Sequence, residues 1–195
     1  MINITKEHYI NQGAFQKCYV HPENKNLCVK IKIDENHKDL RVDREIEYYK
    51  KIQKKHIKNS FWAKYHGTVE TNLGTGYVFD LVRDETTNKV SKTVSEYLNS
   101  NNCPIPHNIF ELEFQKLKNE MIKNKIIVRD ITGRNVCCKI LNDNSIELVI
   151  IDGVGHRDFL PLVEYFQYFT KRKINRIYEK KQLNKMTDHK KWLNK

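Results

Sequence analysis

Asp130 and Asn135 stand five residues apart in the segment Val128-Arg129-Asp130-Ile131-Thr132-Gly133-Arg134-Asn135. Seventeen residues after Asn135, an apolar run ends in Asp152-Gly153. An aspartate can orient a hydroxyl and accept its proton. An asparagine and a second aspartate offer hard oxygens to magnesium. Together these are requirements of phosphoryl transfer, in which the protein places the reactants and cancels charge on a triphosphate.

Such a site also needs groups for the triphosphate, and the N-terminal part of the chain offers them in a workable order. Gly13, in Gly13-Ala14-Phe15, falls where two strand-like runs meet. A glycine there lets backbone N–H groups approach phosphate oxygens. Lys30 projects from the strand-like Leu27-Cys28-Val29-Lys30-Ile31 and can pair with the α- and β-phosphates. Glu45, on the following helix, can fix that lysine by an ion pair. Each residue also has a plainer reading. Lys30 is an exposed strand lysine, Glu45 a helix-surface acid, and Asp130, Asn135 and Asp152-Gly153 are ordinary turn residues. No single motif is specific; their joint order carries the argument.

The elements around these residues follow from patterning. His21 to Asn26 is polar between two apolar runs and reads as a hairpin loop, followed by strict alternation through Val29-Lys30-Ile31-Lys32-Ile33, which puts Lys30 and Lys32 on one face. Residues 39–57 read as a helix with the stripe Val42, Ile46, Tyr49 and Ile52. Glu45 lies beside that stripe; Glu47 falls with Lys50, Lys51 and Lys54 on the polar face. Trp62–Val69 and Gly76–Val82 read as strands, Arg83–Lys92 as a linker and Thr93–Leu98 as a short helix. Tyr77 and Phe79 suit either an adenine pocket or the core. Phe110, Phe114, Leu117 and Met121 form the buried stripe of a helix over Asn108–Lys123, which leads through Ile126-Ile127-Val128 into the Asp130 loop. Val136–Ile140 and Ile146–Ile151 form a hairpin ending at Asp152. From Phe159 the chain reads as helical, with Leu162, Phe166 and Phe169 at helical spacing.

Composition sets outer limits. With 195 residues, 39% of them hydrophobic and 30% charged, the chain can build a real core. The longest uncharged apolar run, Leu148 to Ile151, is too short to cross a bilayer, and the N-terminus has no apolar signal region, so a cytoplasmic protein is expected. Five cysteines, two of them adjacent and none in a CxxC pair, argue for buried reduced thiols rather than a disulfide framework or zinc site. The net charge is +11; ten Lys/Arg against two Asp/Glu place +8 of it in residues 171–195. That basic segment is a solvated helix face or a surface for an acidic partner. Nucleic acid, supported only by this charge and Trp192, is the least favoured partner.

Taken together, these residues make the chain similar to the protein-kinase-like superfamily over about residues 10–155. Gly13-Ala14-Phe15 resembles the end of the glycine-rich loop, Val29-Lys30 the strand lysine motif and Arg44-Glu45 the helix glutamate position. Arg129-Asp130 through Asn135 resembles the catalytic loop, and Asp152-Gly153 the metal-binding aspartate. Within the superfamily, the short length and Arg44-Glu45-Ile46-Glu47-Tyr48-Tyr49 resemble the small bacterial family of the PhoP regulatory network protein YrbL.

The resemblance implies an α+β, truncated bilobal protein-kinase-like fold. An N-lobe of antiparallel sheet plus one helix would span residues 1–83. A reduced, mainly helical C-lobe over 84–195 would carry the catalytic loop and a basic C-terminal helix. It implies ATP and Mg2+ as cofactors, Asp130, Lys30 and Glu45 as catalytic residues, Gly13, Ala14, Phe15 and Lys30 at the nucleotide, and Asn135 and Asp152 at the metal. The chain departs from the pattern in having one glycine in the loop, Val128 in place of a histidine, no Phe between Asp152 and Gly153, and no Ala-Pro-Glu-like motif. With 43 residues after Asp152, a full peptide-docking platform is not expected. The implied function is an ATP- and magnesium-dependent phosphotransferase whose acceptor is a small molecule, the chain itself or a protein. The alternatives are a nucleotide-binding pseudokinase serving as a regulatory module and, remotely, a basic nucleic-acid-binding protein.

Overall fold

The structure, a computed structural model, describes residues 1–34, 40–55, 57, 61–156 and 162–181. It is a mixed α+β arrangement. The strands β1 (Tyr9–Gln12), β2 (Gln16–His21), β3 (Asn24–Lys32), β4 (Tyr65–Thr71) and β5 (Gly74–Asp80) form an antiparallel sheet in the order β1-β2-β3-β5-β4. Cys18 is paired with Lys30, and Lys30 with Tyr77. Because side chains alternate along a strand, Cys18, Cys28, Lys30, Lys32, Tyr77 and Phe79 therefore share one face. On the other face Tyr19, Val29 and Ile31 join Ile2 and Ile4 in a small separate core. Each such buried aliphatic side chain contributes about 2 kcal/mol of transfer free energy.

The expected hairpin exists, but its turn is only Pro22-Glu23, and Asn24-Lys25-Asn26 begin β3. These residues are exposed, so a strand end lying beyond the core reads as loop by composition. The helix expected over 39–57 is α1 (Leu40–Gln53); Asp39 and His56 lie outside the described residues. Val42, Ile46, Tyr49 and Ile52 are buried as the stripe requires, and Tyr48 joins them. Glu47 faces solvent and pairs with Lys50.

Trp62 precedes β4 rather than opening it. Phe61, Trp62 and Ala63 run beside a second hairpin, made of β6 (Val136–Ile140) and β7 (Ile146–Ile150). Ala63 N donates to Ile150 O at 2.8 Å, and Ile150 N to Phe61 O at 3.0 Å. The segment Arg83–Lys92 is an ordered loop, not a free linker. Buried Asp84 accepts hydrogen bonds from Ser91 Oγ at 2.7 Å and from Ile140 N at 3.1 Å, stitching the loop to β6. A polar segment whose carboxylate is satisfied internally looks like linker in sequence.

Helix α2 (Val94–Asn99) starts at a reciprocal cap. Thr93 Oγ1 accepts from Glu96 N, and Glu96 Oε2 accepts from Thr93 N. Helix α3 (His107–Asn124) buries Phe110, Phe114, Leu117 and Met121, as its spacing demands. It stops at Lys125, whose φ of 52° is left-handed. The chain then enters the fully buried Ile126-Ile127-Val128. One apolar core runs from Cys28 and Phe79 of the sheet through α1 to α3 and β7.

The last helical region is broken in two: α4 (Leu162–Tyr165) and α5 (Gln167–Lys180). Phe159 lies outside the described residues. Leu162, Phe166 and Phe169 are exposed, and Thr170, Ile174 and Tyr178 take the buried stripe instead. Thr170 is admitted because its hydroxyl donates to the Val163 and Phe166 carbonyls at the break. Of the basic segment, Lys171, Arg172, Arg176 and Lys180 are exposed on α5; residues 182–195, with Trp192, lie outside the described residues. No described helix is long and apolar enough to cross a membrane.

Candidate functional site

Asn135 ends the turn before β6, and Asp152 follows β7. Closure of the hairpin therefore sets them side by side, with Val136 paired to Ile150 and Ile151 N donating to Asn135 O at 2.9 Å. The sheet meets this point through Lys30, whose Nζ donates to Ile151 O at 2.7 Å and lies 4.7 Å from the Phe79 ring centroid. Helix α1 meets it through Glu45, whose Oε1 accepts from Val154 N at 3.1 Å. The Asp130 loop meets it through Gly153, whose carbonyl accepts from Arg129 N at 2.8 Å and Asp130 N at 3.3 Å. Lys30, Glu45, Asp130, Asn135 and Asp152 are thus brought together. Gly13, Ala14 and Phe15 stay at the turn between β1 and β2, next to the strand that flanks Lys30.

The charges in this centre are strongly coupled. Burial works against the Lys30 ammonium, but the carboxyls of Asp152 and Glu45 outweigh it and hold its pKa above the ordinary value. Burial and the neighbouring Asp152 push Glu45 up to about 8. Asp152 is also penalised by burial, yet Lys30, a hydrogen bond from Glu45 and the Gly153 N–H hold it below the usual carboxylate range. The raised Glu45 and lowered Asp152 favour a proton on the Glu45 side of the two carboxyls, with Lys30 held against Ile151 O. Lys30 and Glu45 interact through this shared field rather than as a hydrogen-bonded pair.

That arrangement has a pH consequence. Folded, Glu45 keeps its proton up to about 8; unfolded, it ionises near ~4.3. Between those values the native state binds one more proton than the unfolded chain. The stability owed to this group is therefore complete below ~4.3, falls as pH rises, and is gone above about 8. Glu45→Gln keeps an oxygen for Val154 N and an N–H for Asp152. It is expected to remove this decline, read as urea-denaturation midpoints between about pH 5 and pH 9 with a chelator present. A decline unchanged in the variant would show that Glu45 is not its source.

Asp130 is engaged at both carboxylate oxygens. Asn135 Nδ2 reaches Oδ2 at 3.1 Å and the Asp130 carbonyl at 2.8 Å. Lys181 Nζ, at the end of α5, reaches Oδ1 at 2.8 Å. With its amide group turned to Asp130, Asn135 keeps its Oδ1 free of hydrogen bonds among the described residues. Gly153 has φ +80°, and a Cβ there would lie 2.8 Å from Asp130 O, so this close approach requires glycine. Gly13 differs: a Cβ would meet only Gln16 O, at an ordinary 3.7 Å. The turn itself does not demand glycine there.

Several residues of this region were not legible as site residues. Gln16 Nε2 and Tyr49 OH are buried with no hydrogen-bond partner among the described residues. Gln16 is on the Lys30 face of the sheet, and Tyr49 feels the charges of Glu45 and Asp152. Unmet buried polar groups beside a charged centre suit a polar ligand or water. In sequence Tyr49 is only part of an apolar stripe, and Gln16 is a polar residue three positions after Gly13 with nothing to mark it. His156 Nε2 is 2.7 Å from Glu164 Oε1, Glu164 is also paired with Lys51, and the His156 ring packs edge-on to Tyr48. This cluster ties α4 and the segment after Asp152 to the helix carrying Glu45; no spacing rule points to it.

Among the described residues, no three His, Cys, Asp or Glu side chains converge as a metal-binding group. Magnesium does not need such a cage. It is commonly held by one or two protein oxygens, with phosphate and water completing six positions. Asn135 Oδ1 and the ionised Asp152 are donors of that kind on adjacent backbone, so the donor set fits. An open depression of about 570 Å³ lined by Glu85, Glu113, Lys116 and Glu147 shares no residue with this centre. Its Glu113 and Glu85 are already paired with Lys116 and Lys139, so the coupled charges define the candidate site.

Fold and centre together define a mixed α+β protein with one polar site built from a strand lysine, a helix glutamate and two acidic loops. The chain belongs to the family of the PhoP regulatory network protein YrbL, which it matches over residues 2–186. It is similar to the YrbL proteins of Escherichia coli (strain K12) and Shigella flexneri. Each is 30% identical over 185 residues, covering 92% of this chain and 86% of the relative.

Proposed function

We propose that this chain is an ATP- and magnesium-dependent phosphotransferase of protein-kinase-like fold. The convergence of Lys30, Glu45, Asp130, Asn135 and Asp152, from segments scattered over more than a hundred residues, carries this reading. Lys30 offers a charge to the α- and β-phosphates. Asn135 and Asp152 would hold magnesium, which neutralises phosphate charge when bound. Asp130 orients the acceptor hydroxyl. As that oxygen bonds to the terminal phosphorus, the bond to the bridging oxygen breaks and ADP leaves with the electron pair; the hydroxyl proton passes to Asp130. The acceptor is a small molecule, the chain itself or a protein.

Calorimetric titration tests the reading. Wild type is expected to bind ATP with magnesium, and Asp152→Asn to bind it at least about tenfold more weakly, with chelator weakening the wild type comparably. No magnesium-dependent ATP binding by the wild type would sink the proposal. A nucleotide-binding pseudokinase is the second reading, favoured by the engagement of both Asp130 oxygens. It predicts the same binding without phosphoryl transfer to any acceptor, itself included.

A further inference from the structure

Lys181 reaches Asp130 because of how α5 is seated. Thr170, Ile174 and Tyr178 are buried at four-residue spacing, and Tyr178 OH donates to Phe114 O of α3 at 3.2 Å. Helix α3 is the element that leads into the Asp130 loop. Lys181 lies three residues beyond Tyr178, on the same helical face. Its ammonium arrives at Asp130 Oδ1 at 2.8 Å, and its side chain is only 25% exposed. The contact joins positions 51 residues apart.

An ammonium has three donors, and one is used on Asp130. In the proposed reaction the acceptor oxygen lies within about 3 Å of the Asp130 carboxylate and within about 3.5 Å of the terminal phosphorus. A cation in contact with Asp130 is then within reach of the terminal phosphate oxygens. Of the other cations, Lys30 lies at the Ile151 carbonyl, and the Arg129 charge acts on Asp152. The Asp130 end of the centre is served by Lys181.

We propose that Lys181 is a terminal-phosphate-binding residue of this site, delivered to the Asp130 loop by α5 of the same chain. The proposal rests on the nucleotide reading above. Its ligand chemistry is the γ-phosphate of a nucleoside triphosphate, which the diphosphate lacks. Lys181 turns from Asp130 alone to bridge the carboxylate and the phosphate, and so neutralises charge where the phosphoryl group is passed on.

The experiment compares binding of magnesium with a nonhydrolysable ATP analogue and of magnesium with ADP. Wild type, Lys181→Met and Lys181→Arg are titrated with each. Lys181→Met keeps the apolar stem and loses the charge. It is expected to bind the triphosphate analogue about tenfold more weakly than wild type, with ADP affinity unchanged. Lys181→Arg is expected to recover most of the loss. Retained ADP binding is the control for folding. Equal loss for both nucleotides, no loss for either, or tighter triphosphate binding by Lys181→Met overturns the proposal; the last would make Lys181 a plug. A wild type that binds neither nucleotide overturns the nucleotide reading itself, and this inference with it.

Discussion

Asp130→Ala is expected to slow ATP-dependent phosphoryl transfer about 10³-fold while leaving the affinity for magnesium and ATP within about threefold. The split follows from where Asp130 stands. Its carboxylate meets Lys181 and the Asn135 amide nitrogen, and its removal leaves Lys30, Asp152, Asn135 Oδ1 and the Lys181 ammonium in place for magnesium and nucleotide. The second hydrogen bond of Asn135 is to the Asp130 backbone carbonyl and survives the substitution. The bonds of Arg129 N and residue 130 N to Gly153 O survive as well. The loop therefore keeps its shape, and what is lost is the group proposed to hold the acceptor hydroxyl. Steady-state ATP consumption and calorimetry on the same preparations check this. Equal turnover in wild type and variant would reject a catalytic Asp130.

Gly153→Ala is expected to cost about 3 kcal/mol of stability. A left-handed alanine costs about 1–2 kcal/mol on backbone grounds. A further cost of about 1–2 kcal/mol comes from a Cβ placed 2.8 Å from the Asp130 carbonyl. That carbonyl cannot withdraw freely, because Asn135 Nδ2 holds it and the Gly153 carbonyl holds the residue 129 and 130 amides. The strain acts on the two loops that carry Asp130 and Asp152. Magnesium-dependent nucleotide binding should fall with stability, whereas Gly13→Ala should leave stability unchanged, since its Cβ meets nothing closer than 3.7 Å. Urea denaturation gives both numbers. A loss below about 0.5 kcal/mol for Gly153→Ala would mean that the loops do not meet so closely.

The elements that position the centre were legible where a single periodicity decided them. The alternation through Val29–Lys32 put Lys30 and Lys32 on one face, and the stripes of α1 and α3 predicted their buried residues. The order of the five polar candidates was readable, as was the hairpin that ends at Asp152. What was not legible depends on contacts far apart in sequence. Polar Arg83–Lys92 looked like linker because the groups that satisfy Asp84 include Ile140 N, 56 residues away. Three large apolar residues outvoted Thr170 in the reading of the last helix, because a threonine is at home in a buried stripe only when carbonyls take its proton. Lys181 was one basic residue among many until α5 was seated on α3. The coupling of Glu45 to Asp152 needed both helix and hairpin in place.

The hydrogen bond from Lys30 to Ile151 O spans 121 residues, and that from Val154 N to Glu45 spans 109. The N-terminal half of the centre therefore waits for its other half. During synthesis the sheet can close around Lys30 long before residue 151 has been made. Until then, the ammonium lacks Asp152, the stronger of the two carboxyls that favour its charge. Contacts of such sequence separation form late and slowly. A chain stopped before β7 would carry Lys30 and Glu45 without Asp152 and could not assemble the centre.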